Sequence, residues 1–166
     1  MAFNDFLLPE FDHEMGTTRR LLERVPPTAL GWKPHDKSMS MGQISDHLSK
    51  LASWANIILT TTSYDLATMD PTFRHTDPES VGAVVEAFDR TVKAARAEIV
   101  VKTDAEYLVP WTLKHGSHQV FTMPRFSALR SLVLNHTIHH RGQLSVYLRL
   151  NDVALPSIYG PTADEA

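Results

Sequence analysis

The sequence predicts an all-α protein: a four-helix bundle with a long crossover and a small β-hairpin inserted before the last helix. Apolar residues recur at helical spacing in four segments of about 20 to 27 residues, which is typical of such bundles. Residues 60–78 are rich in Thr, Asp and Pro and form too long a connection for a tight helical turn. With 166 residues and 43% apolar content, the chain suits one core, so residues 1–166 are expected to form a single domain.

The first two helices have recognisable start and stop signals. Residues 4–24 carry an apolar stripe at helical spacing, and two prolines, beginning at Pro26, end this helix. A structured loop follows. The second helix is predicted at residues 41–61, with Ser40 as its N-cap and Gln43, three residues later, as the capping-box partner.

The second half of the chain contains two helices separated by a β-favouring region. Residues 79–100 have one apolar and one charged face, which predicts the third helix. Residues 107–113 and 119–123 favour strands on either side of a polar turn, and we expect a hairpin there. Residues 124–150 form the strongest helical pattern in the chain, with Pro124 at a position where a helix can start.

Composition excludes several classes of function. The formal net charge is -3 and the basic residues are scattered, so no basic stripe is available for nucleic acid or an anionic membrane surface. No stretch approaches the roughly 20 apolar residues of a membrane span, and the acidic N-terminal residues do not resemble a secretory signal. We therefore expect a cytoplasmic protein. It has no cysteine, so any thiol chemistry requires an external thiol.

Three of the nine histidines share the predicted interior of the bundle. His136 and His140 lie four residues apart on one apolar helix face, and His47 lies on the apolar stripe of the second helix. These rings could ligate one metal ion, or they could be core histidines with ordinary hydrogen-bond partners; spacing and pattern leave both alternatives open. His139 competes for the same role, but its position about 60° off the line from His136 to His140 places it on the flank.

Other polar residues are candidates for supporting roles. The remaining histidines fall in loops or on mixed faces and are expected to be exposed: His13, His35, His75, His115 and His118. A proton acceptor or a partner that orients a ligand imidazole could come from four residues, each of which also reads as an ordinary helix-surface residue: Asp12, Glu14, Asp46 and Gln143. Tyr147 could reach the rim of the site or pack in the core. Arg141 and Arg149 could bind a carboxylate or phosphate group of a substrate, or they could be solvated on a helix face or form a salt bridge.

Several segments together resemble the DinB family. The run from Asn135 to Leu144, NHTIHHRGQL, is similar to the HxxxHRGQL signature of that family. The Trp32-Lys33-Pro34 segment, residues 40–47 and the run Pro156 to Pro161 near the C-terminus are similar as well. The resemblance covers most of the chain. One departure is Gln43, where relatives often have glutamate.

The resemblance implies a four-helix bundle with a divalent metal ion, commonly nickel or zinc, on a histidine triad that corresponds to His47, His136 and His140. Related families include thiol-dependent S-transferases, and members are often homodimers. Three imidazoles leave a coordination position open. We therefore expect a metal-dependent hydrolase or thiol-dependent S-transferase that acts on a small molecule, with a metal-bound water or a low-molecular-weight thiolate as nucleophile. The alternative is a non-catalytic metal-binding stress-response protein with a closed site.

Overall fold

The computed structural model describes residues 2–74 and 76–165. It is mostly helical, with one small sheet. The helices are α1 (Phe3–Leu22), α2 (Met41–Leu51), α3 (Trp54–Thr60), α4 (Val81–Val100), the short α5 (Asp104–Tyr107), α6 (Arg125–Leu129) and α7 (His136–Arg149). Helices α1 and α2 each pack against both α4 and α7, which forms the predicted bundle. Apolar side chains from all four helices fill its centre, among them Phe11, Ile44, Leu48, Phe88 and Leu144. No helix among the described residues is long and apolar enough to cross a membrane.

The start of α2 confirms the predicted capping box. The backbone N–H of Gln43 donates to Ser40 Oγ at 3.0 Å, and the backbone N–H of Ser40 donates to Gln43 Oε1 at 3.1 Å. These two bonds satisfy N–H groups that have no partner within the helix. Helix α2 therefore begins at a fixed position, six residues before His47.

The prediction of one continuous helix over residues 41–61 is wrong. The helix is interrupted at Ala52 and Ser53, between α2 and α3. Ser53 Oγ donates to the Lys50 carbonyl at 2.5 Å, and the Ser53 backbone N–H donates to the same carbonyl at 3.1 Å. Serine side chains that bond to nearby carbonyls compete with regular helical hydrogen bonds, and this tightens the turn.

The hairpin is part of a three-stranded sheet, which corrects the all-α prediction. Strands β2 (Pro110–His115) and β3 (His118–Pro124) pair antiparallel, and β1 (Ser63–Asp65), from the long crossover, pairs parallel to β2. Asp65 secures the turn of the hairpin, because its Oδ1 accepts from the backbone N–H of Gly116 at 2.8 Å. A three-residue strand has too few positions to show an alternating pattern in the sequence.

The strand predicted at residues 107–113 begins only at Pro110, because Tyr107 belongs to the short helix α5 (Asp104–Tyr107). Thr103 and Glu106 build a capping box here: the Thr103 backbone N–H donates to Glu106 Oε2 at 2.9 Å. The cap therefore keeps Tyr107, whose type favours strands, in a helical turn.

The final helix is not uniform, although residues 124–150 were predicted as one helix. Between α6 and α7 lies a π-helical segment (Arg130–Asn135) that ends directly before His136. A π-helical turn contains more residues than an α-helical turn, so it changes the face on which the following residues lie. Such segments occur frequently at functional sites.

Gly42, the second residue of α2, lies in close contact with the loop before this helix and with the end of the long crossover. A Cβ at this position would lie 2.9 Å from Pro78 Cδ and 3.0 Å from the Leu30 carbonyl oxygen. We expect Gly42→Ala to lower the free energy of unfolding by about 1–2 kcal/mol, because the steric cost exceeds the helix-propensity gain. Gly16→Ala is the matched control: Gly16 is an exposed position in α1 with open space around it, and we expect a small stabilisation. Urea unfolding of both variants measures the difference, and equal effects would contradict the steric argument.

Candidate metal centre

Three histidines from two helices meet on one side of the bundle. His47 comes from α2, and His136 and His140 lie one turn apart in α7, which packs against α2. One ring nitrogen from each lies within 4.8 Å of the others, and all three rings are at least partly buried. This group is close enough together to hold one metal ion.

The spacing of the rings fits a shared ion. His47 Nε2 and His136 Nε2 are 3.3 Å apart. Two imidazole nitrogens at about 2.0–2.1 Å from a tetrahedral ion would be separated by about 3.4 Å. A direct hydrogen bond between His47 and His136 would also fit this distance. Such a hydrogen bond would not account for the nearby His140, whose ring centroid lies only 4.5 Å from that of His47 and 4.7 Å from that of His136.

Gln143 orients the ring of His140. His140 Nδ1 lies 2.7 Å from Gln143 Oε1. An amide oxygen can only accept a hydrogen bond, so Nδ1 carries the proton of the neutral ring and Nε2 carries the lone pair. A hydrogen bond of this kind is the usual way in which a protein fixes the tautomer of a metal-ligating histidine.

The other histidines that the structure describes stay outside this group. His139 is exposed on the flank as predicted, with its ring centroid 4.8 Å from that of His140. Four of the five histidines that were expected to be exposed are so: His13, His35, His115 and His118. The fifth, His75, lies outside the described residues.

The three candidate carboxylates are engaged elsewhere. Asp12 forms an exposed ion pair with Arg96, and Glu14 forms a buried one with Arg141. Asp46 Oδ2 accepts from Lys50 Nζ at 2.6 Å. The fourth candidate, Gln143, contacts the triad histidine His140.

The remaining candidates have structural contacts. Arg149 pairs with Asp164 on the surface, as the salt-bridge alternative predicted. Tyr147 is buried, with its ring edge-to-face against Trp32 at 5.5 Å, which supports the core alternative. Arg141 also forms a salt bridge, but it does so at 1% exposure, inside the protein.

A cavity of about 320 Å³ lies beside the histidines. His47 and His136 form part of its wall, together with Lys50, Leu51, Trp54, Met69, Phe73 and Arg74. The last three belong to the long crossover, in which no functional residue was predicted. Asp46 and Lys50 hold the crossover in place: Thr76 donates to Asp46 Oδ2 through its backbone N–H and its hydroxyl, both at 3.2 Å, and Lys50 Nζ donates to the Arg74 carbonyl at 3.2 Å.

The fold and the histidine group define a class of protein: a helical bundle with a three-histidine group, able to hold a metal ion, beside a cavity. The sequence model of the DinB family matches residues 1–166. The chain belongs to the DinB family, as its motifs indicated.

Individual relatives agree with this assignment. The uncharacterized protein YrdA of Bacillus subtilis (strain 168) is 23% identical over 161 residues, which cover 97% of this chain and 90% of YrdA. The crystal structure of a DinB-like protein from Bacillus cereus superposes with a TM-score of 0.71 at 19% identity, over 95% of this chain and 98% of that one. The DinB-like protein YjoA of B. subtilis gives 0.67 at 20% identity, over 92% and 97%. At these identities the two structures show the shared fold.

Proposed function

We propose that this protein is a metal-dependent enzyme that acts on a small molecule, with His47, His136 and His140 as the metal ligands. One observation carries the proposal: two of the three histidines line a cavity of about 320 Å³, a volume within the range of small-molecule sites. A site that only stores an ion or stabilises the bundle needs no such cavity. The cavity therefore favours the enzyme over the non-catalytic stress-response alternative.

The donor set suits nickel or zinc, since imidazole is a preferred ligand of both. When bound, a divalent ion would act as a Lewis acid and make water or a thiol a stronger nucleophile near neutral pH. The chain's own residues would hold the ion and orient its ligands. The histidines supply three neutral donors, and Gln143 fixes the ring of His140. No cysteine is present, so a thiol-transfer reaction would use an external low-molecular-weight thiol.

The reaction class is tested with two simple probes on zinc- or nickel-supplemented protein. A hydrolase is expected to cleave p-nitrophenyl acetate without a thiol. A thiol transferase is expected to consume 1-chloro-2,4-dinitrobenzene only when cysteine or glutathione is added. Chelation should abolish either activity and metal should restore it, because three neutral ligands hold the ion reversibly.

Two variants separate the site from its surroundings. His136→Ala is expected to lower the metal-dependent rate by at least about a hundredfold, because it removes a ligand. His139→Ala changes an exposed neighbour and is expected to keep the rate within about twofold of the parent. If neither probe, nor a wider panel of esters and electrophiles, turns over above the rate of the His136→Ala variant, the non-catalytic alternative replaces this proposal.

A further inference from the structure

The cavity beside the histidines indicates the size and polarity of the molecule that it binds. Half of its eight lining residues are apolar or aromatic: Leu51, Trp54, Met69 and Phe73. Its volume of about 320 Å³ is at the lower end of the range for small-molecule pockets. These walls favour a compact ligand with an apolar body.

Lys50 contributes an ammonium group to the same wall, and two of its N–H donors have partners in the protein. It follows His47 by about one helical turn, so both side chains reach the cavity from one face of α2. Its ammonium donates to Asp46 Oδ2 at 2.6 Å and to the Arg74 carbonyl at 3.2 Å. An ammonium group has three N–H donors. Among the described residues Lys50 has no third partner, so one donor is available to a ligand.

Among the described side chains that line the cavity, Arg74 carries the uncompensated charge. Asp46 lies against Lys50 and balances its charge. Arg74 is exposed, lines the cavity, and takes part in no ion pair within residues 2–74 and 76–165. The cavity walls therefore carry about one uncompensated positive charge, on a guanidinium whose planar donors match the two oxygens of a carboxylate.

We infer that the substrate of this site is a small carboxylate with an apolar body of about the size of an aromatic ring, recognised at its carboxylate by Arg74 with support from Lys50. The inference rests on the proposed function, because it names the substrate class of the same site. Asp46 matters indirectly, since its bonds to Lys50 and Thr76 hold the crossover that carries Arg74.

The test compares three probes with the same body and different charge: 4-phenylbutyrate, 4-phenylbutanamide and 4-phenylbutylamine. Their affinities are measured by calorimetry on protein whose zinc content is determined in the same preparation. We expect the carboxylate to bind about fivefold more tightly than the neutral amide, which is the ratio expected for one partly exposed charge pair. The amine should bind most weakly. Arg74→Gln should reduce the preference for the carboxylate, and a zinc ion on the histidines would account for any part that remains. Lys37→Gln, which removes one exposed positive charge from a loop, should keep it.

Each outcome decides between the proposals. Equal affinity for carboxylate and amide, or a preference that is undiminished in Arg74→Gln, overturns the inference. Failure of all three probes to bind protein that holds one equivalent of zinc also overturns it, and leaves the metal site standing. An Arg74-dependent preference in protein that binds no metal supports carboxylate recognition and overturns the metal-dependent function instead.

Discussion

Replacing Glu14 with Gln is expected to lower the free energy of unfolding by about 3–5 kcal/mol, a large part of the roughly 5–15 kcal/mol that stabilises a typical domain. Glu14 Oε2 lies 2.6 Å from Arg141 Nη2, and the two side chains are only 7% and 2% exposed. Glutamine preserves the shape of the side chain. It leaves the guanidinium charge buried without a counterion, and this desolvated charge is the source of the loss.

The pair belongs to a larger network that joins three parts of the chain. Arg141 in α7 donates to the Glu14 carbonyl in α1 at 3.1 Å and to the Tyr159 hydroxyl at 2.6 Å. Tyr159 in turn donates to the Glu14 carboxylate at 2.9 Å. Burial of the hydroxyl end, together with this hydrogen bond, raises the pKa of Tyr159, so the hydroxyl keeps its proton and donates at neutral pH. Removing the carboxylate therefore weakens the contact between α1, α7 and the C-terminal segment.

An exposed ion pair on the same helix provides the control. Asp12, two residues before Glu14, pairs with Arg96, and these side chains are 45% and 48% exposed. We expect Asp12→Asn to cost much less than Glu14→Gln, because solvent screens the exposed pair. Urea unfolding of both variants measures the two losses. If Glu14→Gln cost no more than Asp12→Asn, the buried pair would not be a major source of stability.

The features that could be predicted from the sequence are those that depend on nearby residues. The capping box of Ser40 and Gln43 spans three positions and is visible in the sequence. Apolar spacing located the four helices of the bundle, and the interval between His136 and His140 placed both rings on one helix face. His47 required one further assumption, that apolar stripes of different helices face a common core.

The features that were missed depend on distant contacts. The burial of Arg141 is set by Glu14, 127 residues earlier in the chain, and no local pattern marks it. Arg74 reaches the cavity because the crossover is bonded to Asp46 and Lys50 on α2. The π-helical turn before His136 contains neither proline nor glycine, so no helix-breaking residue marks it in the sequence.

The largest effect on metal binding is expected from the double variant His136→Ala with His140→Ala, because it removes two of the three donors that lie within 4.8 Å of one another. Parent protein supplied with zinc or nickel, and then dialysed, should contain about one equivalent of metal, and the double variant less than about a tenth. At metal concentrations about a hundredfold above the dissociation constant, binding should add about 2.7 kcal/mol to the stability of the parent and nothing to that of the variant. Elemental analysis and thermal unfolding measure the two effects.

Two further comparisons make the metal prediction specific. His139→Ala, at the exposed position between His136 and His140, is expected to retain about one equivalent, which would exclude a general effect of removing a histidine from α7. Imidazoles must be unprotonated to bind a metal ion, so occupancy and the added stability should be present at neutral pH and be lost as the pH falls below about 6. Metal that stays bound to the parent down to a pH of about 4, or that remains in the double variant, would show that the ion is held by groups other than these histidines.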